Sequence, residues 1–534
     1  MRLQGVMQPL KDNMKFKSIT EKISEKTFPI NIYGISESGK SYIINGIFEE
    51  NDNSMVIVTH SDVDAKNLYE DLSFYTTDVF YFPVREVVFY NVDAISGDLR
   101  WARLKVIKEI LQNERKKIIV TSIDSLTSLY TPKEYYLRYS MIIKTGDNVD
   151  LKEISKSLLQ CGYERVEVVE GKGEFSFRGG ILDVFPPTSA YPYRVELFGD
   201  EVDSIRTFNT ESQRSIEKVK EFSIFPSKEV IVDDEGRNRA VQTINEELKN
   251  IVANVSNLNK ESVEKIKGIV GKNIELLNNT YYFETIDSYL PFFYEKLDSF
   301  FDYLDGYTFI VDDFKRSLGK MDSIYYEFNE NYISFLQRGD ILPLQNNLLL
   351  NKGELESKLE NSSLITLSSF LNKSDNLFNT VDIGFEEITL NKYNGQLNLL
   401  IEDIEERKEK KYKTVILAGT RPRGERLVKT LMEKGISSTY KDSIDKIEAG
   451  EVVITFGNLI RGFDYPELEL SIISDKDIFG ETRRKHSGKA VKRKGVAKIT
   501  SFAELKPGDY VVHANHGIGI YKGIKQMVAG GTTR

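Results

Sequence analysis

Over the first 130 residues, short apolar runs alternate with longer stretches whose apolar positions recur every three to four residues. Pro29 to Tyr33 leads into a glycine-rich loop and a helix, Met55 to Thr59 is apolar and β-branched, Asp62 to Tyr75 has helical spacing, and Val79 to Phe82 is a short strand. Leu99, Val106, Ile107, Ile110 and Leu111 then share one helix face ahead of a strand at Ile118 to Thr121. Such alternation predicts a parallel sheet with helices on both faces. Between 173 and 208 the period shortens to two. Gly180 to Phe185, Tyr193 to Phe198 and Glu201 to Phe208 are rich in β-branched and aromatic residues and are separated by Gly or Pro, the pattern of a small antiparallel sheet. Tyr193, Val195 and Leu197 fall on one face of the second run and Arg194 and Glu196 on the other, so one face is expected to be buried and the other wet.

Phe222 to Pro226 reads as a strand returning to the first sheet, which makes the antiparallel sheet an insertion. Residues 237 to 305 carry Glu, Lys, Asn and Leu at helical spacing and read as packed helices. From about 345 a second α/β unit is expected, with apolar runs at Leu364 to Leu367, Thr414 to Ala418, Val452 to Phe456 and Leu470 to Ile473, and a helix from Arg423 to Lys434 stopped by Gly435.

Composition narrows the class. The chain has 534 residues, enough for about three to four domains, and its 40% hydrophobic and 29% charged content is that of a soluble globular protein. No window has the roughly 18 apolar residues of a membrane span, and the polar start lacks the apolar core of a secretory signal, so a cytoplasmic protein is expected. One cysteine, Cys161, excludes an internal disulfide, and with four histidines leaves few metal ligands. The net charge of −9 argues against a uniformly basic nucleic-acid groove. A local basic strip does exist: Arg483, Arg484, Lys485, Lys489, Lys492, Arg493 and Lys494 lie in a twelve-residue stretch without an acid. Such a run reads first as a solvated connector and second as a salt-sensitive DNA contact through Arg483, Arg484, Lys492 and Arg493. Arg100 and Arg103 read as solvated arginines on the wet side of an amphipathic helix.

The clearest chemical motif is Gly34-Ile-Ser-Glu-Ser-Gly-Lys-Ser41, a match to G-x-x-x-x-G-K-[ST] between a strand and a helix. In such a loop, backbone N–H groups of Gly34, Ser38 and Gly39 face phosphate oxygens, Lys40 reaches the β and γ phosphates, and Ser41 the magnesium. ATP with magnesium is the expected ligand. Hydrolysis also needs a carboxylate on the metal and a residue orienting water. Asp312, at the end of the strand Thr308-Phe-Ile-Val-Asp-Asp313, is the candidate. A strand-end turn with two solvated aspartates explains the same letters.

The stretch Phe177-Arg-Gly-Gly-Ile-Leu-Asp-Val-Phe-Pro186 followed by Arg194-Val-Glu-Leu-Phe-Gly-Asp-Glu-Val-Asp203 resembles a gapless signature of the module shared by excinuclease B and the bacterial transcription-repair coupling factors. The resemblance implies that this sheet docks the excinuclease component UvrA through Arg165 and Arg178 beside an exposed aromatic, Phe185, with Phe177 as a further candidate. Leu505 to Gly523 resembles the opening strands of the RNA-polymerase-interacting domain of the coupling factors, a small barrel that docks on the polymerase β subunit, with Tyr521 as the contact. Excinuclease B lacks that element.

The implied fold class is α/β multidomain: a phosphate-loop-type parallel-sheet domain with an inserted antiparallel β subdomain, a second α/β domain and an incomplete SH3-like barrel. The corresponding boundaries are 1–131 and 213–344 for a degenerate helicase lobe, 132–212 for the UvrA-binding insertion, 345–475 for a spacer, 476–503 for a basic linker and 504–534 for the start of the barrel. The chain stops before such a barrel closes and lacks the later motor lobes of the family, so an adaptor with little or no ATP turnover is expected. The alternatives are an ATP-dependent DNA helicase resembling excinuclease B, supported by the phosphate loop, and a non-enzymatic DNA-binding module working through the basic strip.

Overall fold

The computed structural model describes residues 3–85, 97–112, 114–253, 260–371 and 380–480, together with the backbone of four short strands after residue 509. Seven strands form a wholly parallel sheet, in the order Val381–Gly384, Ile30–Tyr33, Ser363–Ser368, Thr308–Asp312, Met55–Thr59, Ile118–Ser122 and Val79–Tyr81. Every residue of the Thr308–Asp312, Met55–Thr59 and Ile118–Ser122 strands is buried, which is why these runs are apolar throughout instead of alternating. The Leu364 to Leu367 run corrects the boundary expected at 345. It lies in the middle of this first sheet, with Ile365 level with Ile30 on one side and Ile310 on the other. An apolar run carries no local mark of which sheet it will join, because its neighbours are fixed by long-range pairing.

A second sheet follows in the order Ile388–Thr389, Phe463–Tyr465, Leu470–Ile473, Lys413–Ala418, Val452–Phe456 and Thr439–Tyr440. Helix Arg421–Glu433 covers it, and the chain turns at Gly435 in the left-handed region. The helix after the glycine-rich loop, Glu37–Glu50, lies between the sheets. Its Tyr42, Ile43 and Ile47 belong to one buried cluster that includes Ile32 and Ile57 of the first sheet and Val415, Val453 and Tyr465 of the second. The crossover from Gly384 to Ile388 is only three residues long and carries the chain directly from one sheet to the other.

A third sheet of six strands runs Ser215–Val219, Glu201–Phe208, Tyr193–Phe198, Ile181–Val184, Glu174–Arg178 and Glu164–Arg165. It is antiparallel apart from the last pairing. Leu158 from helix Leu151–Gln160, Cys161, Phe175, Leu182, Val195, Val202 and Ile205 form its core. Strand Glu221–Ile224 does not return to the first sheet as expected. It pairs with Met141–Lys144, and Ile143, Phe222 and Ile224 join the core of the third sheet. This compact platform therefore extends from 141 to 224, beyond the expected limits of 132–212 at its C-terminal side. The 237 to 305 region is helical as expected, with Asp234–Ala253 and Lys260–Thr280 contributing Ile244, Ile266 and Val270 to a separate core.

Arg103 is not a wet-face arginine. It is buried, and its guanidinium makes two hydrogen bonds of 2.7 and 2.8 Å to the Glu229 carboxylate and a third to the Val84 carbonyl. Paired burial of this kind ties helix Gly97–Gln112 to the segment that follows the platform.

Candidate functional site

Two places in the molecule carry the sequence motifs: the glycine-rich loop at the end of strand Ile30–Tyr33 and the platform sheet. In the loop, Gly34 has φ +78° and a Cβ there would lie 1.9 Å from the Phe385 carbonyl oxygen, so only glycine allows the crossover to press so closely. The Phe385 N–H donates to the Tyr33 carbonyl at 2.9 Å, and the Glu387 N–H to the Gly34 carbonyl at 3.2 Å.

The concave face of the loop is filled by the chain itself. The Ser36 N–H donates to Glu387 Oε2 at 2.6 Å and the Ser36 hydroxyl to Oε1 at 3.0 Å. A Cβ on Gly39 would stand 2.2 Å from Oε2, so the carboxylate lies directly against the Gly39 Cα. The Tyr465 hydroxyl bridges the Gly39 carbonyl at 3.1 Å and Glu387 Oε2 at 3.3 Å. Partial burial outweighs these hydrogen bonds and the nearby Lys40, and pushes the Glu387 carboxyl up to about 7.

The remaining motif groups are also engaged. Lys40 Nζ is 2.6 Å from Asp312 Oδ1, in an ion pair with little solvent exposure. Ser38 is buried, donates to Asp71 Oδ2 at 2.6 Å and accepts the Arg461 N–H at 3.0 Å. Asp71, lifted to about 6 by burial, also receives the Ile460 N–H at 2.8 Å. The fully buried Ser41 hydroxyl donates to the Ser38 carbonyl. Asp313 sits in the left-handed region with its side chain capping helix Phe314–Gln337, as a strand-end turn would place it, whereas Asp312 is buried against Lys40 and not solvated. The predicted residues Gly34, Ser38, Gly39, Lys40, Ser41 and Asp312 thus do converge. As folded here they do not fit ATP with magnesium, because a carboxylate fills the cradle, an aspartate holds the lysine and the serine faces inward.

On the platform, Arg165 and Arg178 are exposed. Arg178 approaches Asp183 only to 3.9 Å, because Asp183 is already held by Arg194 through two bonds of 2.7 and 2.8 Å. Phe177 is half-buried, edge-on to Phe175. Phe185 corrects the expectation of an exposed ring: it is 8% exposed and packs with Val169 and Phe208. The Pro186-Pro187 pair ends the strand just after it, and the ring covers a small apolar cluster on the face expected to be wet. Arg194, stacked 4.5 Å from the Phe208 ring centre, closes over that cluster.

The most exposed ring of this sheet is Phe198, at 84%. It ends strand Tyr193–Phe198 at the same edge as the Arg178 turn, where the Leu197 N–H donates to the Gly180 carbonyl at 2.8 Å. Its parity with Arg194 and Glu196, just before a Gly-Asp turn, was the available signal. Glu387, in contrast, had none in the motif itself. Tyr521 and the basic residues Arg483, Arg484, Lys492 and Arg493 lie outside the described side chains. Within the C-terminal stretch, Tyr510–His513 and Gly517–Ile520 pair as an antiparallel hairpin.

Comparison with known proteins follows the same division. The family model for the UvrB interaction domain matches residues 141–230, and the model for the CarD-like/TRCF RID domain matches residues 505–534. The transcription-repair-coupling factor of Bacillus subtilis is 31% identical over 537 residues, which is 99% of this chain and 45% of that protein. The factor of the same name from Staphylococcus epidermidis is 27% identical over 98% of this chain and 44% of its own length, and that of Staphylococcus aureus 26% over 94% and 43%. The chain therefore spans less than half the length of the curated relatives it matches.

Proposed function

We propose that this chain, whose sequence belongs with the N-terminal region of the transcription-repair-coupling factors, is the adaptor part of such a protein and recruits UvrA to RNA polymerase stalled at DNA damage. What supports this reading above all is the platform, which coincides with the matched 141–230 segment and presents Arg165 and Arg178 at its surface. Arginine and aromatic side chains anchor interfaces well, one through forked donors and the other through large rigid area. Arg178, held off to 3.9 Å from Asp183 by Arg194, and the exposed Arg165 can both pair with a partner's carboxylate. Phe198 supplies the exposed ring that Phe185 does not, while Phe177 is half-buried beside Phe175.

The platform is an inserted subdomain in this reading, strung on the paired strands Met141–Lys144 and Glu221–Ile224. The 505–534 segment begins an SH3-like barrel that carries the polymerase contact, Tyr521 included. The filled loop favours adaptor work over ATP-driven helicase activity.

Capture of purified UvrA on the immobilised chain tests the proposal. Arg165→Ala/Arg178→Ala is expected to lower capture at least tenfold while leaving the melting curve in place. Equal capture by both proteins would remove the assignment.

A further inference from the structure

The phosphate loop is intact in sequence, converges in space and is nonetheless full. The group that fills it, Glu387, is anionic when ionised, binds the Ser36 N–H and lies against Gly39, where a phosphate oxygen would be received. It comes from the three-residue crossover between the two sheets. We propose that Glu387 is a built-in occupant of the phosphate cradle: it latches the crossover and the second α/β unit onto the loop, and nucleoside triphosphate is excluded while its carboxylate is there.

Three independent features of the loop agree with a latch. The second unit contacts the loop along two segments, 385–389 and 460–465, and each reaches motif residues: Glu387 accepts from the Ser36 N–H and hydroxyl, while the Tyr465 hydroxyl bonds the Gly39 carbonyl and the Arg461 N–H bonds the Ser38 hydroxyl. Lys40, which in a nucleotide site reaches the phosphates, is instead neutralised by Asp312 at 2.6 Å, so the loop holds no surplus positive charge that would require an external anion. Gly34 and Gly39 keep the close backbone approach that the motif provides, but use it to admit Phe385 and Glu387. The charged or titratable groups facing Glu387 are Lys40, Tyr465 and Tyr75, and none of them replaces it as the ligand of the Ser36 amide.

The inference does not depend on the UvrA reading, since it concerns another part of the molecule. Its test is titration of the whole 534-residue chain with magnesium and a fluorescent N-methylanthraniloyl-ATP. The unaltered protein is expected to show no saturable binding into the millimolar range. Glu387→Ala, which empties the cradle and removes the main side-chain anchor of the crossover, is expected to bind at least tenfold more tightly, and Glu387→Ala/Lys40→Ala to lose that gain. A folded Glu387→Ala protein that binds no better than the unaltered one overturns the proposal, as does a gain that survives loss of Lys40. Should Glu387→Ala not fold, amide hydrogen exchange on the unaltered chain decides: protection of the Ser36 amide is expected, and exchange at the rate of an open loop overturns the latch.

Discussion

The loop and the platform are the two most legible stretches of the sequence, and the folded chain treats them in opposite ways. In the loop four polar side chains of the motif have found partners within the protein. Ser36 holds Glu387, Ser38 holds Asp71, Lys40 holds Asp312, and Ser41 holds the Ser38 carbonyl. On the platform an internal pair, Arg194 with Asp183, uses up the buried acid and leaves Arg178 and Phe198 at the surface. A motif records which groups can bind, but whether they are available depends on what the rest of the chain brings to them. On the two proposals above, the phosphate loop is an internal joint and the platform the place that meets other molecules.

The sharpest way to break this comparison is to make one substitution in both regions. Gly34→Ala forces a left-handed alanine into the Phe385 carbonyl and is expected to cost about 3–4 kcal/mol. Gly179→Ala, also left-handed but with open space around it, is expected to cost about 1 kcal/mol. Urea unfolding of the two variants measures both. Similar midpoints would mean that the crossover does not constrain the loop.

The next largest effect separates the platform's own arginines. Arg194→Ala leaves the Asp183 carboxylate buried without its two-bond partner and is expected to cost about 3 kcal/mol. Arg178→Ala should change stability by less than about 0.5 kcal/mol. If thermal melts ranked them the other way, Arg178 would be a structural residue and a poor candidate for a contact.

The smallest effect is a pH dependence in the loop. The Glu387 carboxyl is held up at about 7 in the folded chain by partial burial, above its ordinary range near 4.5. Its stabilising contribution is therefore complete below about pH 4.5 and is lost as the pH rises through 7. Glu387→Gln should match the parent in stability near pH 4.5 and exceed it by about 1–2 kcal/mol at pH 8, a value reduced from the full linkage because the group is partly solvated. Asp71 titrates nearby in both proteins, so it cancels in the difference. A constant difference across that range would show that Glu387 does not titrate in the loop as placed.

How much of this was legible follows from the range of the interactions involved. The strands Ile181–Val184, Tyr193–Phe198 and Glu201–Phe208 fall within or on their sequence-predicted limits, because alternation and Gly or Pro boundaries are local signals. The loop was found by its letters for the same reason. Its occupant was not, because Glu387 is 351 positions from Ser36 and follows a short strand, Val381–Gly384, whose sheet the sequence does not name. Phe185 was placed at the surface by resemblance alone, yet its face is covered by Val169, Phe208 and the Arg194 guanidinium, which no local pattern marks. Strand Ser363–Ser368 was assigned to the wrong sheet because pairing with Ile30–Tyr33 is decided across more than 330 residues.

The lone thiol, Cys161, is sealed in the platform core, where burial pushes its ionisation far upward. The native chain is therefore close to inert toward maleimides, and a cysteine introduced at the exposed position 198 or 388 would take up a dye or a spin label almost alone. Each of the two regions can thus be reported on separately in one unmodified background.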